Sequence, residues 1–315
     1  MNLRICSVLL LLVALVLAGC AAPEAGPTVT RFPALANADL NGTLVFSLLG
    51  DISLINPILS SDSASSAVEG VIFNGLVTVN EKLEIVPELA TGWTTSPDGR
   101  IWTFYLRKRV FWHDGYPFTA EDVKFTFDSI LDPKTNSVRR SDYIIDGVPI
   151  RFEVVSLYTF RAILPKPFAP FLSHMAMGIL PKHILANTDL NTAAFNRQPI
   201  GTGPFKFVSF RPAEKIEVAR NDQYFRGVPR VERIIYRVIP DANAQLVALE
   251  TGEIDETGIP AKDYRRMLRT AHINIFEFDS LAYTYLGLNN RSPIFADRRV
   301  RQALAYATDK DQLVK

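Results

Sequence analysis

Pro199-Ile200-Gly201-Thr202-Gly203-Pro204-Phe205-Lys206-Phe207 is the stretch that decides how the chain is read. Two glycines bracket a hydroxyl residue and a proline closes the bend, so the backbone turns tightly. It leaves as an alternating strand, with Phe205, Phe207 and Ser209 on one face and Lys206, Val208 and Phe210 on the other. The residue types make this turn a fold determinant rather than a ligand contact.

Upstream of the turn, Thr43 to Leu49 reads as an apolar strand and Asn56-Pro57 breaks the chain. The serines of 60–66 can cap a helical segment from Ala67 to Phe73, Asn74-Gly75 turns, and Leu76 to Val79 resumes as strand. Ile101 to Leu106 alternates after the Pro97-Asp98-Gly99 turn. Thr119-Ala120-Glu121-Asp122 has capping-box spacing ahead of a helix that carries Val123, Phe127 and Ile130 on one face. Arg151 to Leu164 is strand-like, an apolar helix fits Phe171 to Met177, and Pro181 opens a short helix through Leu185. Trp93, Trp102 and Trp112 read as core of this region.

Downstream, Lys215 to Ala219 and Ile234 to Ile239 alternate as strands. Asp241 caps a helix with Leu246 and Leu249 inward, and Gly252 ends it. A last strand spans Tyr283 to Asn289, Asp297 caps a helix with Val300, Leu304 and Ala307, and another helix starts at Asp309. A helix that starts with no room for two turns does not fold alone, so the reading expects a fragment or a truncated gene product.

The amino terminus is an address. A short positive region at Asn2 to Arg4 precedes the apolar run Ile5 to Leu17, which is shorter than the roughly 20 residues of a membrane helix, and Leu17-Ala18-Gly19-Cys20 closes it. That ending resembles a bacterial lipobox. It implies a signal over residues 1–19 and lipid on Cys20, which anchors the protein to the outer face of the membrane. Cys6 leaves with the signal, so no intramolecular disulfide remains. Residues 20–41, with Pro23, Gly26, Pro27 and Pro33, read as a flexible tether.

Composition is that of a globular protein: 315 residues, 48% hydrophobic, 21% charged, with a formal net charge of +1. No basic run exceeds Arg107-Lys108-Arg109, which argues against a nucleic-acid partner. The chain has no Gly-x-Ser-x-Gly elbow, His-Glu-x-x-His, Walker A loop or Gly-x-Gly-x-x-Gly, so an enzyme is not expected. His113 beside Asp114 is explained by an Asp-Gly turn, and His174 and His183 lie among apolar residues without a ligand-spaced acid; neither metal nor cofactor is expected.

Eight motifs follow one another along the chain: Ile55-Asn56-Pro57; Pro87-Glu88-Leu89-Ala90-Thr91-Gly92-Trp93 with Asp98-Gly99; Phe104 to Lys108; Trp112-His113-Asp114-Gly115 through Val123; Gly201 to Phe205; Arg220-Asn221 with Tyr224 and Gly227; Gly252-Glu253-Ile254-Asp255; and Arg299 to Leu304 with Asp309. In that order they resemble the extracellular solute-binding proteins of ABC transporters, of the dipeptide- and oligopeptide-binding type. The resemblance implies an α/β, two-lobed, type II periplasmic-binding-protein-like fold with an extra inserted subdomain. Residues 42–60 and 195–277 would form lobe I, 61–194 the inserted subdomain, and 278–315 the beginning of a lobe II that is largely missing. It further implies a monomer that captures peptides without chemistry and delivers them to permease subunits with their ATPase. Tyr283, Tyr285 and Asn289 would line the cleft, and ordinary strand packing accounts for them equally well. Asn56 stands both as a turn residue before proline and as a candidate ligand contact. A nickel complex, haem or an oligosaccharide are alternative solutes, and a non-transporting sensor or defunct lipoprotein is the alternative role.

Overall fold

The computed structural model describes residues 42–278 and 285–313. Residues up to Glu277 form one compact unit, and a second runs from Phe278. Cys20 and the tether lie outside the described residues.

The first unit holds two four-stranded sheets. The first, in order β1-β12-β11-β10, comprises β1 (Thr43–Leu48), β10 (Phe205–Arg211), β11 (Lys215–Arg220) and β12 (Arg233–Val238). β1 and β12 are parallel, and the other pairs are antiparallel. β10 departs from simple alternation: a bulge between Phe207 and Ser209 makes Val208 the extra residue, so Phe210 joins the face of Phe205 and Phe207. All three phenylalanines then reach the core, while Val208 is exposed. Helix α1 (Ser63–Ile72) packs on this sheet, with Val68 and Ile72 fully buried and the Tyr236 hydroxyl donating to the Ala67 carbonyl (3.4 Å). Its cap is Asp62 rather than a serine, because a carboxylate reaches the Ser65 amide at 2.7 Å.

The second sheet, in order β4-β5-β9-β8, is antiparallel throughout: β4 (Ala90–Thr95), β5 (Ile101–Leu106), β8 (Arg151–Ser156) and β9 (Thr159–Ile163). The strand-like run 151–164 is thus a hairpin, folded back at Leu157-Tyr158. Helix α2 (Ala120–Leu131) starts with the expected capping box and buries Val123, Phe127 and Ile130; Phe127 stacks on Phe152 at 4.8 Å and on Phe160 at 5.9 Å. Trp112 is buried, and Trp93 and Trp102 are half-buried against the same core. Two small hairpins, β2 (Val77–Val79) with β3 (Ile85–Pro87) and β6 (Ile144–Ile145) with β7 (Val148–Pro149), complete the strands. Helix α3 covers only Phe171–His174, and α4 (Lys182–Leu185) opens after Pro181. In α5 (Ala242–Glu250), capped by Asp241, the inward residues are Gln245, Leu246 and Ala248, while Leu249 is half-buried. Helix α6 is Ala261–Met267.

In the second unit, α7 (Pro293–Ala296), α8 (Arg298–Ala307, capped by Asp297) and α9 (Lys310–Leu313) follow irregular backbone. Residues 285–289 are not strand, and Tyr283 lies outside the described residues.

The central turn ties the sheets together. The Gly203 amide donates to the Ile72 carbonyl at the end of α1 (2.8 Å). A Cβ on Gly201 would overlap that same carbonyl, and one on Gly203 would lie 2.5 Å from the Val71 oxygen. On the other side His113 clamps the turn: its Nδ1 accepts from the Gly201 amide (3.2 Å), its Nε2 donates to the Gly203 carbonyl (3.0 Å), and its own amide donates to the Gly201 carbonyl (2.9 Å). Those two ring bonds require the neutral Nε2–H tautomer. Burial pushes the imidazole down to about 4 against the pull of the Gly203 carbonyl.

Gly201→Ala is expected to destabilise the chain by more than about 3 kcal/mol, because backbone rather than a mobile side chain blocks the methyl group; a urea melt followed by circular dichroism measures it. The folded pKa of His113 is depressed, so the unfolded chain takes up a proton first as pH falls, and the stability it contributes is complete above about 6.5 and lost towards 4. The stability difference between wild type and His113→Gln should therefore shrink by roughly 3 kcal/mol between pH 7.5 and 4. A pH-independent difference in paired urea melts would contradict the neutral clamp.

Candidate functional site

β1 has parallel neighbours on both sides. β12 pairs along its full length, and on the opposite edge Phe46 bridges Glu256, with the Ser47 amide donating to the Glu256 carbonyl (3.3 Å) and the Asp255 amide to the Val45 carbonyl (2.7 Å). Three chain segments therefore leave the sheet at one end: Leu49 onward, Ile239 onward and Thr257 onward. The carboxyl end of adjacent parallel strands, where the connections diverge, is where open α/β sheets take ligands.

A chain of side-chain bonds fixes the three segments to one another. Ser47 Oγ donates to Thr257 Oγ1 (2.7 Å), Thr257 Oγ1 to Gln245 Oε1 (3.0 Å), and Gln245 Nε2 to the Ile239 carbonyl (2.8 Å). The Ile239 amide closes the circuit on the Leu48 carbonyl (2.9 Å). The loop after β1 is pinned at both ends. Asp51 Oδ2 accepts from the Ala213 amide in the β10–β11 turn (2.9 Å), and Ser53 Oγ donates to Asp62 Oδ2 (2.6 Å). Burial opposes ionisation of Asp62, but the hydroxyl of Ser53 and the Ser65 amide outweigh it and hold the carboxyl below its usual range. Leu49 is 59% exposed at this rim, and the amides of Gly50, Ser53 and Leu54 form no hydrogen bond among the described residues. The arrangement can offer backbone donors and an apolar side chain from a rigid support.

Asn56, read both as a turn residue before proline and as a candidate contact on this side, is fully buried. Its Nδ2 donates to Asn196 Oδ1 (2.8 Å), its Oδ1 accepts from the Ile58 amide (3.3 Å), and its carbonyl accepts from the Leu59 and Ser60 amides. It is the turn residue that supports the loop from below and does not reach the surface. Tyr285 and Asn289 belong to the second unit: Tyr285 is 75% exposed, and Asn289 Oδ1 accepts from the Arg291 amide (3.0 Å). Ser47, Asp51, Gln245 and Thr257 were not singled out in the sequence. The Gly252 to Asp255 motif lies next to Thr257, but only the bridge to β1 shows where it goes.

The histidines serve other ends. His183 pairs with Asp114 (2.8 Å) and stacks on Tyr116 (4.1 Å), and His174 bonds the Asp142 carbonyl (3.0 Å). No group of three metal-ligating side chains occurs among the described residues. A cavity of about 820 Å3 lies between α2 and β8, away from the end of β1, and three ion pairs lie within its walls: Lys182 with Glu121 (2.9 Å), Lys124 with Asp128, Arg161 with Glu153 (3.7 Å).

Comparison with solved structures defines the class. The mixed α/β fold is that of the type II solute-binding proteins: oligopeptide-binding AppA of Bacillus subtilis, solved with a nonapeptide, superposes with a TM-score of 0.80 at 34% identity, over 87% of this chain and 55% of that one. NikZ of Campylobacter jejuni, solved with Ni(L-His), gives 0.79 at 34% identity over the same shares. The family model for bacterial extracellular solute-binding proteins, family 5 Middle, matches residues 84–315, and the chain belongs to that family. In sequence, AppA of B. subtilis is 33% identical over 310 residues, 97% of this chain and 56% of AppA. The chain spans about half the length of the curated relatives it matches. Those relatives are named as binding proteins, and the family is extracytoplasmic.

Thr257→Val removes both hydroxyl bonds and leaves Gln245 Oε1 without a donor; we expect a loss of about 1–2 kcal/mol in a urea melt, with Thr257→Ser close to wild type.

Proposed function

We propose that the chain is the peptide receptor of an ABC importer, held at the outer face of the membrane by lipid on Cys20. The observation that carries this reading is the carboxyl end of β1, where open amides at Gly50, Ser53 and Leu54 stand beside exposed Leu49 on a braced loop. Backbone donors recognise an extended peptide whatever its side chains, and hydrated space accommodates those side chains. AppA, with its nonapeptide, supports the choice of solute. Residues 42–60 and 195–277 serve as the first lobe, 61–194 as the inserted subdomain, and 278–315 as the start of the second lobe, with Tyr283, Tyr285 and Asn289 as its candidate ligand contacts. Capture is non-covalent, and a permease with its ATPase receives the loaded monomer. A nickel–histidine complex is the second reading, favoured by the likeness to NikZ.

Titration calorimetry of the purified chain with a tripeptide, a nonapeptide and Ni(L-His) decides between them. Saturable heat with the peptides supports the first reading, heat with the nickel complex alone supports the second, and no heat with any of the three sinks both. Cys20→Ser should move the protein from the membrane fraction to the soluble one; full retention would overturn the anchor.

A further inference from the structure

Three chain segments meet at the end of the second sheet where β5 stops and the β8–β9 hairpin folds back. The Leu106 amide donates to the Tyr158 carbonyl (2.9 Å), the Ala120 amide to the Leu157 carbonyl (3.0 Å), and the Phe118 amide to the Val110 carbonyl (3.0 Å). Phe111 bridges Pro117 within the tight turn between them. Large apolar side chains stand out from this junction: Phe111 is 42% exposed, Tyr116 52% and Leu157 55%. The basic run Arg107-Lys108-Arg109 leads directly into it. Lys108 lies over the Tyr158 ring (5.9 Å), and neither Lys108 nor Arg109 has a carboxylate partner among the described residues. The neighbouring acids are engaged, Asp114 with His183 (2.8 Å) and Glu121 with Lys182 (2.9 Å).

One connection touches both this junction and the point where the described chain begins. The Glu232 amide donates to the Gly42 carbonyl (3.2 Å), and the Arg220 amide to the Glu232 carbonyl (2.8 Å). Between Arg220 and Glu232 the chain carries Phe225, whose ring lies under the Arg107 guanidinium at 5.6 Å. Cys20 precedes Gly42 by 22 residues, at most about 75 Å of extended chain.

We propose, on the lipid-anchored reading given above, that this junction docks on the anionic headgroups of the bilayer. Lys108 and Arg109 meet lipid phosphates, while Phe111, Tyr116 and Leu157 enter the interface. Cations beside exposed aromatic and aliphatic side chains fit a surface that is negative outside and apolar just beneath. An acidic protein surface would match the cations and leave the three apolar side chains in water. A lipid on Cys20 keeps the junction close to the surface, so a weak contact suffices.

The test is cosedimentation of the full chain with vesicles of phosphatidylglycerol and phosphatidylcholine, and with phosphatidylcholine alone. Cys20 and the apolar run before it are common to every variant, so differences between variants report the junction. We expect tighter binding to the anionic vesicles. The Lys108→Gln/Arg109→Gln double variant should raise the lipid concentration for half-maximal binding roughly tenfold or more, and added salt should narrow that gap. Both side chains are exposed, so the urea midpoint of the double variant should match wild type. In Phe111→Trp, the added tryptophan emission should shift to the blue on anionic vesicles. Equal binding by wild type and the double variant, or an unshifted emission, overturns the proposal. Full membrane retention of Cys20→Ser or a silent peptide titration counts against the reading it builds on, and neither changes the difference between the variants.

Discussion

The backbone of Gly201–Gly203 is the constraint on which the first unit depends. Three polypeptide segments approach within hydrogen-bond distance of three residues: the end of α1 through Ile72, the turn before α2 through His113, and the β11–β12 connection through Asn221, whose Nδ2 shares the Gly203 carbonyl with His113 (3.0 Å). Glycine is required because the approach is backbone to backbone, not because of an unusual dihedral; neither glycine is among those with positive φ. The histidine is required because a neutral imidazole offers one acceptor and one donor in a fixed plane, which matches an amide and a carbonyl two residues apart.

A second layer of polar groups extends the node towards the second sheet. Thr202 Oγ1 donates to Asn74 Oδ1 (3.0 Å), Asn74 Nδ2 to Glu88 Oε1 (2.9 Å), and the Gly75 amide to Glu88 Oε2 (3.1 Å). Burial raises the Glu88 carboxyl despite these donors and Arg226 nearby (3.7 Å). Such a network is costly when partly met and specific when met in full. Here it joins four motifs far apart in sequence, so the first sheet, α1 and the second sheet cannot shift independently at this seam.

That rigidity bears on the site. The loop after β1 has to hold its amides in place without secondary structure of its own. It does so by borrowing order from Asp62 at the start of α1, Ala213 in a hairpin turn, and Asn56 beneath it, each anchored in the packed unit. A binding surface made of backbone groups gains its affinity from pre-organisation, so what matters most is the support under it.

Much of the fold was legible in the residues. Strong local signals survived: the capping box at Thr119–Asp122, the helical face Val123, Phe127 and Ile130, the Asp241 and Asp297 caps, and the paired strands after the central turn. These are set by neighbours within four residues, which a sequence displays directly. Family membership was legible too, since an order of motifs survives in one dimension. What escaped depends on contacts across long separations. The bulge at Val208 answers to the register with β11; the fold-back at Leu157 answers to pairing with β5; Leu249 yields to Gln245 because Thr257, twelve residues on, bonds the glutamine. Asn56 read both as a turn residue and as a candidate ligand contact; its buried bond to Asn196 was not legible, because nothing local states that Asn196 lies opposite it. The sequence by itself determined the helix caps, the central turn and the family. Only the tertiary structure decided which polar residues face one another, because a hydrogen bond needs two groups within about 3 Å and sequence distance does not constrain that.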